Sequence, residues 1–82
     1  MTTLKGYTKA FDADALKSDT VDFKVPCQAL YIGVAGDVKV MMAQDTVPQV
    51  FKAVPVGPLY VSVRRIYSTG TAATNILGLA TN

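Results

Sequence analysis

From residue 20 onward, apolar and polar residues follow the two-residue period of β-strands. Residues 21–25 alternate apolar with charged side chains, and residues 29–34 form a more continuous apolar run. Valine, isoleucine, threonine and tyrosine, which favour strands, are concentrated in this part of the chain. Further runs at short, turn-separated intervals lie at 38–42, 46–54, 59–66 and 75–79. The pattern predicts an all-β fold: a small antiparallel β-sandwich or barrel of five to six short strands.

Turn chemistry between these runs predicts how the strands connect. Ala, Gly and Asp at 35–37 predict a tight hairpin that joins the strand at 29–34 to the strand at 38–42. Residues 56–58 predict a further turn. The alternation changes parity beside Arg65, which predicts a β-bulge there.

Residues 1–19 lack this pattern and are predicted to form an N-terminal arm, with the β domain spanning 20–82. The arm is polar except for scattered large apolar residues, of which Tyr7, Phe11 and Leu16 are the candidate anchors. We expect them to pack either on the chain's own domain or on a neighbour. Asp12 is expected to cap one short turn around residues 13–17.

Composition removes several classes of function. The 82 residues carry a net charge of +2 and no histidine, and only 17% are charged, against roughly 25% in most soluble domains. With no histidine and one cysteine, a zinc site of the usual kind and histidine-dependent catalysis are excluded. The paired aspartates at 12/14 and 19/22 lack the loop of a calcium site and are interpreted as surface carboxylates. We therefore expect no enzyme, no cofactor and no metal.

Length and hydropathy set further expectations. The longest apolar stretch, 29–36, is far shorter than the ~20 residues of a membrane-spanning helix, so no membrane association is expected. Cys27 has no partner in the chain and is interpreted as a small buried hydrophobe. A domain near this size buries only about 60% of its unfolded surface, so oligomerisation is the expected source of added stability.

One cluster combines aromatic and basic side chains: Tyr60, Arg64, Arg65 and Tyr67. Such residues stack on single-stranded bases in small β-barrels, and they are also enriched where proteins bind one another. Because the net charge is low and the other basic residues are dispersed, a protein partner is favoured and nucleic acid is not expected.

An ordered series of segments gives the chain a family resemblance. The segments are ALYIGVAGDVKV at 29–40, TV at 46–47, FKAVPVGPL at 51–59, VSVRRI at 61–66 and TGTAATNI at 69–76. In this order and spacing they resemble small phage-type virion proteins, which include the head-spike base proteins of gene transfer agents. The match spans about residues 28–79, roughly two-thirds of the chain. The turns at 43–45 and 55–58 depart from the family pattern, and nothing is carried onto the arm.

The resemblance implies a non-enzymatic structural protein on the capsid surface of a phage-type virion, as a spike base, decoration or cement protein. It implies the major capsid protein as a partner, a spike or fibre protein as a further one, and a homo-oligomer, trimeric or pentameric. Assembly in the host cytoplasm and localisation to the virion follow from it. Two alternatives stay open: a tail or connector component of the virion, and a small β-barrel that binds single-stranded nucleic acid.

Overall fold

A computed structural model describes residues 7–24 and 26–80. Within these ranges the chain forms seven β-strands and no helix, so none of the described residues belongs to a helix able to cross a membrane. The strands are β1 Lys9–Asp12, β2 Ala29–Val34, β3 Gly36–Met42, β4 Gln49–Val54, β5 Gly57–Leu59, β6 Val63–Ile66 and β7 Thr74–Ala80. The predicted all-β class is confirmed. The six predicted runs become seven strands because the predicted arm contributes β1 and β5 occupies most of the predicted turn at 56–58, whereas residues 21–24 form no strand.

The strands form two antiparallel sheets that share one core. One sheet has the order β1-β7-β2-β5 and the other the order β4-β3-β6. Alternate side chains of each sheet point inward, as the two-residue period requires. The core contains Leu30, Ile32 and Ile76 from the larger sheet and Val38, Val40, Val63 and Ile66 from the smaller one, all without exposed surface. The arrangement is a β-sandwich in character.

The predicted hairpin between residues 29–34 and 38–42 is wrong. Both strands exist, but β2 pairs with β7 and β5, whereas β3 pairs with β4 and β6. The chain crosses from one sheet to the other at Ala35. Gly36 permits this crossing, because a Cβ at that position would lie 2.7 Å from the backbone nitrogen of Ala73. Sheet crossings and hairpins use the same small turn residues.

The predicted strand at 21–25 is also wrong for the residues described, and Val25 lies outside them. Residues 21–24 follow the edge of β6 without forming a regular ladder. The Phe23 N–H donates to the Arg64 carbonyl at 2.7 Å, and the Cys27 N–H donates to the Val63 carbonyl at 3.1 Å. The two donors are four positions apart in the sequence but the two acceptors are adjacent, so no regular pairing is possible. Phe23 is buried, whereas Val21 is 62% exposed.

Two local predictions are confirmed. Met41 pairs with Arg65 and Met42 with Val63, so Arg64 is the extra residue of a bulge on β6. In the arm, the Ala15 N–H donates to Asp12 Oδ1 at 3.1 Å and so caps a single turn after β1.

Candidate protein-binding surface

Phe11 attaches the arm to the chain's own larger sheet. On β1 it lies opposite Gly78 of β7, and its ring occupies the space that a side chain at Gly78 would fill. The ring also meets the Phe23 ring edge-on, with centroids 5.1 Å apart and an interplanar angle of 76°. Of the three predicted arm anchors, Phe11 is therefore used internally.

The other two predicted anchors remain accessible. Leu16 is 51% exposed in the turn after β1, and Tyr7 is 38% exposed just before β1. Neither side chain belongs to the shared core. Both are available to a partner.

A groove lies between β1 and the segment that follows the edge of β6. It encloses about 720 Å³, with residues 8–11 on one side and residues 21–24 on the other, and Leu16 and Ala80 also contribute to its lining. We call it the β1 groove. Lys9, Ala10 and Phe11 are consecutive residues of β1, and neighbouring residues of a strand point to opposite faces, so the groove follows the edge of the strand.

Arg64, Arg65 and Tyr67 form the arginine cluster together with Asp22. Arg64 Nη1 lies 2.6 Å from Asp22 Oδ2, and Arg65 Nε lies 2.7 Å from Asp22 Oδ1. The Arg65 guanidinium also lies over the Tyr67 ring, 5.4 Å from its centroid. The hydrogen bond from Arg65, assisted by Arg64, lowers the pKa of Asp22, and Asp22 in turn raises the pKa of Arg65.

The structure therefore brings three of the four predicted contact residues together. Arg64 and Arg65 are half-buried and Tyr67 is buried. The main contacts of the cluster are therefore internal, and they join the 21–24 segment to β6. Tyr60 lies apart, 66% exposed in the link between β5 and β6. It makes no hydrogen bond or ring contact with the other three.

Sequence reasoning missed the roles of the carboxylates. Asp19 accepts hydrogen bonds from the Thr69 N–H at 2.9 Å and the Thr69 hydroxyl at 2.7 Å, which lower its pKa. Asp37 accepts the Ala53 N–H at 2.8 Å, and this bond lowers its pKa. Each aspartate fastens a loop to a distant part of the chain. Nothing in the local sequence marks these pairings, because their partners lie 16 to 50 positions away.

Lys9 and Lys24 differ from the other basic residues of the described ranges, because neither has an ionic partner there. Among the described residues, the other basic side chains each have a partner: Lys17 with Asp14, Lys52 with Asp37, Lys39 with Tyr67, and both arginines with Asp22. Lys9 and Lys24 are exposed and have no ion pair or ring contact in the described ranges. Both line the β1 groove.

A second apolar surface lies on the outer face of the larger sheet. Tyr31 of β2 and Leu77 of β7 are directly opposite each other, with 42% and 40% of their surfaces exposed. Pro58 of β5 extends the same row beyond Tyr31. The sequence carries one sign of this patch, since Tyr31 points away from the inward Leu30 and Ile32.

Searches against protein-family models, curated proteins and solved structures found no match. Within residues 7–24 and 26–80, no three aspartate or cysteine side chains form a group that could hold a metal ion. What the fold and the site define is a small all-β protein with a free strand edge, an apolar groove beside it and an apolar patch on one sheet. Such features suit association through apolar burial and backbone pairing.

Proposed function

We propose that the chain is a non-enzymatic structural virion protein on the capsid surface of a phage-type particle, as a spike base, decoration or cement protein. The proposal rests on how much of the fold lies within the stretch that carries the family resemblance. Residues 28–79 take in β2 to β6 completely and all of β7 except Ala80, so they supply the smaller sheet, the larger sheet apart from β1, and most of the core. The resemblance therefore covers most of the fold rather than isolated turns.

The proposed mechanism is association alone. The Tyr31–Leu77 patch and the β1 groove supply apolar surface that a partner would bury. The expected partners are the major capsid protein and a spike or fibre protein. Several copies would form a symmetric trimer or pentamer, since closed symmetry suits attachment at capsid axes.

The contacts of the arginine cluster weigh against the single-stranded nucleic acid alternative. Stacking on bases needs exposed aromatic faces and free guanidinium groups. Here Tyr67 is buried, and Arg64 and Arg65 share the Asp22 carboxylate. A tail or connector component would use the same association surfaces, so position in the particle decides between that alternative and the capsid.

Electron cryomicroscopy of purified particles tests the proposal. Particles that carry the chain with a C-terminal tag, and matched particles that lack the chain, are compared in difference maps. We expect density of this size on the capsid surface, repeated with capsid symmetry. Density on the tail would establish the connector alternative, and absence of the chain from purified particles would overturn a virion role. Steeply salt-dependent binding of oligonucleotides would favour the nucleic acid alternative.

A further inference from the structure

We propose that the β1 groove binds an extended segment of a partner protein, apolar in its centre and acidic at its flanks, as an additional strand on β1. The inference rests on the proposed function, because it specifies the chemistry of the partner segment that the chain would bind. Three features of the groove carry it: a free strand edge, an apolar lining and two lysines that have no ionic partner among the described residues.

β1 provides the free edge. Among the described residues it is the terminal strand of the larger sheet, with β7 on one side only. The β1 groove runs along the other side, where residues 8–11 line it consecutively. A terminal strand presents unpaired backbone N–H and C=O groups, which an extended peptide can pair by adding a strand.

The lining supplies apolar contacts for such a strand. Leu16 and Val21 are 51% and 62% exposed, and both border the groove beside the Phe11 ring. A segment with alternate apolar residues would cover them while its backbone pairs with β1. Phosphate and sugar groups would leave this apolar surface uncovered, which favours a peptide over a nucleic acid.

The charges at the groove select an acidic segment. Lys9 and Lys24 have no ionic partner in the described ranges. Asp22 is the carboxylate in the described lining, and it is paired with both arginines. The rim is therefore positive. Residues 1–6 of a second copy would bring Lys5 and no carboxylate, so exchange of that segment between copies does not match the charge of the groove.

Binding of synthetic peptides to the full chain tests the inference. The main probe is an alternating valine–threonine peptide with two aspartates at each end, and its control has the same centre with lysines at the ends. A peptide of residues 1–6 and an oligothymidylate are the competing probes. Affinities are measured by calorimetry, and amide shifts of the ¹⁵N-labelled chain locate the binding site.

We expect the aspartate-flanked peptide to bind at least about tenfold more tightly than the lysine-flanked one and to shift the amides of residues 8–11. Equal affinity of the two peptides, or shifts confined to another part of the chain, would overturn the inference. So would equal or tighter binding of the residue 1–6 peptide, which would indicate chain exchange, or of the oligothymidylate, which would indicate nucleic acid.

Matched variants separate groove contacts from general effects on folding. Val21→Asp and Leu16→Asp place a charge in the groove at exposed positions. Val47→Asp is their control, because it introduces the same charge at a position that is 61% exposed but lies outside the groove. Lys9→Gln combined with Lys24→Gln removes the positive rim, and Lys52→Gln is its control. Thermal unfolding confirms that each variant is folded. We expect the groove variants to lose at least about tenfold in affinity and the controls to lose little, and equal losses in both sets would contradict the inference.

The outcome is independent of where the chain lies in a particle. If the peptides fail to bind but microscopy finds the chain on the capsid, only the groove assignment falls. If the acidic peptide binds but the chain is absent from particles, the groove assignment stands and the virion role falls.

Discussion

Cys27 shows how a residue with reactive chemistry becomes part of the packing. Its side chain has no exposed surface and belongs to the core cluster, and its Sγ lies 3.7 Å from the Val63 carbonyl. Burial raises the pKa of the thiol, because the low-dielectric interior disfavours the thiolate. The thiolate is the reactive form, so both its scarcity and its inaccessibility reduce reaction with electrophiles.

We therefore predict that Cys27 resists alkylation in the folded protein. Iodoacetamide at pH 8 should react at least about tenfold more slowly with the native chain than with the chain in concentrated urea. Mass spectrometry measures both rates, and the urea sample should take up one label per chain. Equal rates would show that the thiol is accessible in the native state.

Asp22, Asp19 and Asp37 link the stability of the fold to pH. Hydrogen bonds from Arg65, Thr69 and Ala53, respectively, lower their pKa values below the ordinary value of 3.8. Such groups stabilise the folded state while they are ionised. Their contribution is complete above the ordinary value and is lost as the pH falls through the lowered pKa values of the folded protein.

The predicted result is a thermal unfolding midpoint that changes little between pH 7 and pH 5 on account of these groups and falls below about pH 4. Asp22→Asn should lower the midpoint at pH 7 and make the fall at acid pH shallower, because one of the three contributions is already absent. Circular dichroism at a series of pH values measures both effects.

Asp45→Asn is the matched control for that experiment. It removes the same charge from an exposed side chain with no ion pair or hydrogen bond in the described ranges. Its midpoint at pH 7 should change little. If Asp22→Asn and Asp45→Asn behave alike, the ion pairs of Asp22 do not stabilise the fold.

Among the strands, local pattern identified β2 and the bulge on β6 but missed β1 and β5, which pair regularly with β7 and β2. Residues 29–34 were predicted from apolar continuity and form β2 with the same bounds, and the parity change beside Arg65 identified the bulge on β6. The predicted hairpin failed because the feature that defines the crossing at Gly36 is its contact with the backbone of Ala73, far along the chain. Local turn residues carry no information on that contact.

The candidate site likewise contains residues that the sequence identified and residues that it did not. Arg64, Arg65 and Tyr67 were identified because they are close together in the sequence and of unusual type. Asp22 was interpreted only as a surface carboxylate, since its contacts with the arginines span more than 40 positions. The β1 groove could not be predicted, because it forms only when the arm pairs with β7 and residues 21–24 lie alongside.

The attachment of β1 gives a prediction at the scale of the element. Phe11→Ala should destabilise the protein by roughly 2 kcal/mol, somewhat below the range for fully buried phenylalanines because the ring is partly exposed. Gly78→Ala should cost about 1–3 kcal/mol, because the new Cβ would overlap the Phe11 ring. In the Phe11→Ala background the same glycine change should cost at least about 1 kcal/mol less. Urea unfolding of the four proteins measures this coupling.

Gly33→Ala provides the comparison for the coupling. A Cβ at Gly33 would lie 2.7 Å from Asn75 atoms and does not meet Phe11. Its cost should therefore add to that of Phe11→Ala. Additive costs for Phe11 and Gly78 as well would show that the ring does not lie over Gly78.

At the scale of the molecule, small size and exposed apolar surface belong together. Two sheets of four and three short strands enclose a single core, and the part of the larger sheet that faces outward presents Tyr31 and Leu77. A domain near this length leaves much of its apolar surface in water. Covering the Tyr31–Leu77 patch with a second copy would remove part of that surface, and this is the way in which the proposed homo-oligomer would gain stability.

Stability that depends on protein concentration is the consequence that can be measured. Binding of the native state to a partner at about 100 times Kd adds about 2.7 kcal/mol, so an oligomer should unfold at a higher temperature as its concentration rises. Tyr31→Thr together with Leu77→Thr should abolish that dependence and sediment as a monomer, because threonine keeps the strand but removes the apolar surface. Val50→Thr, at a position 41% exposed on β4 of the other sheet, should leave both association and its concentration dependence unchanged. A wild-type chain that sediments as a monomer at micromolar concentration, with a constant unfolding midpoint, would contradict the homo-oligomer. The exposed apolar patch would then be covered by the proposed capsid partner instead of a second copy.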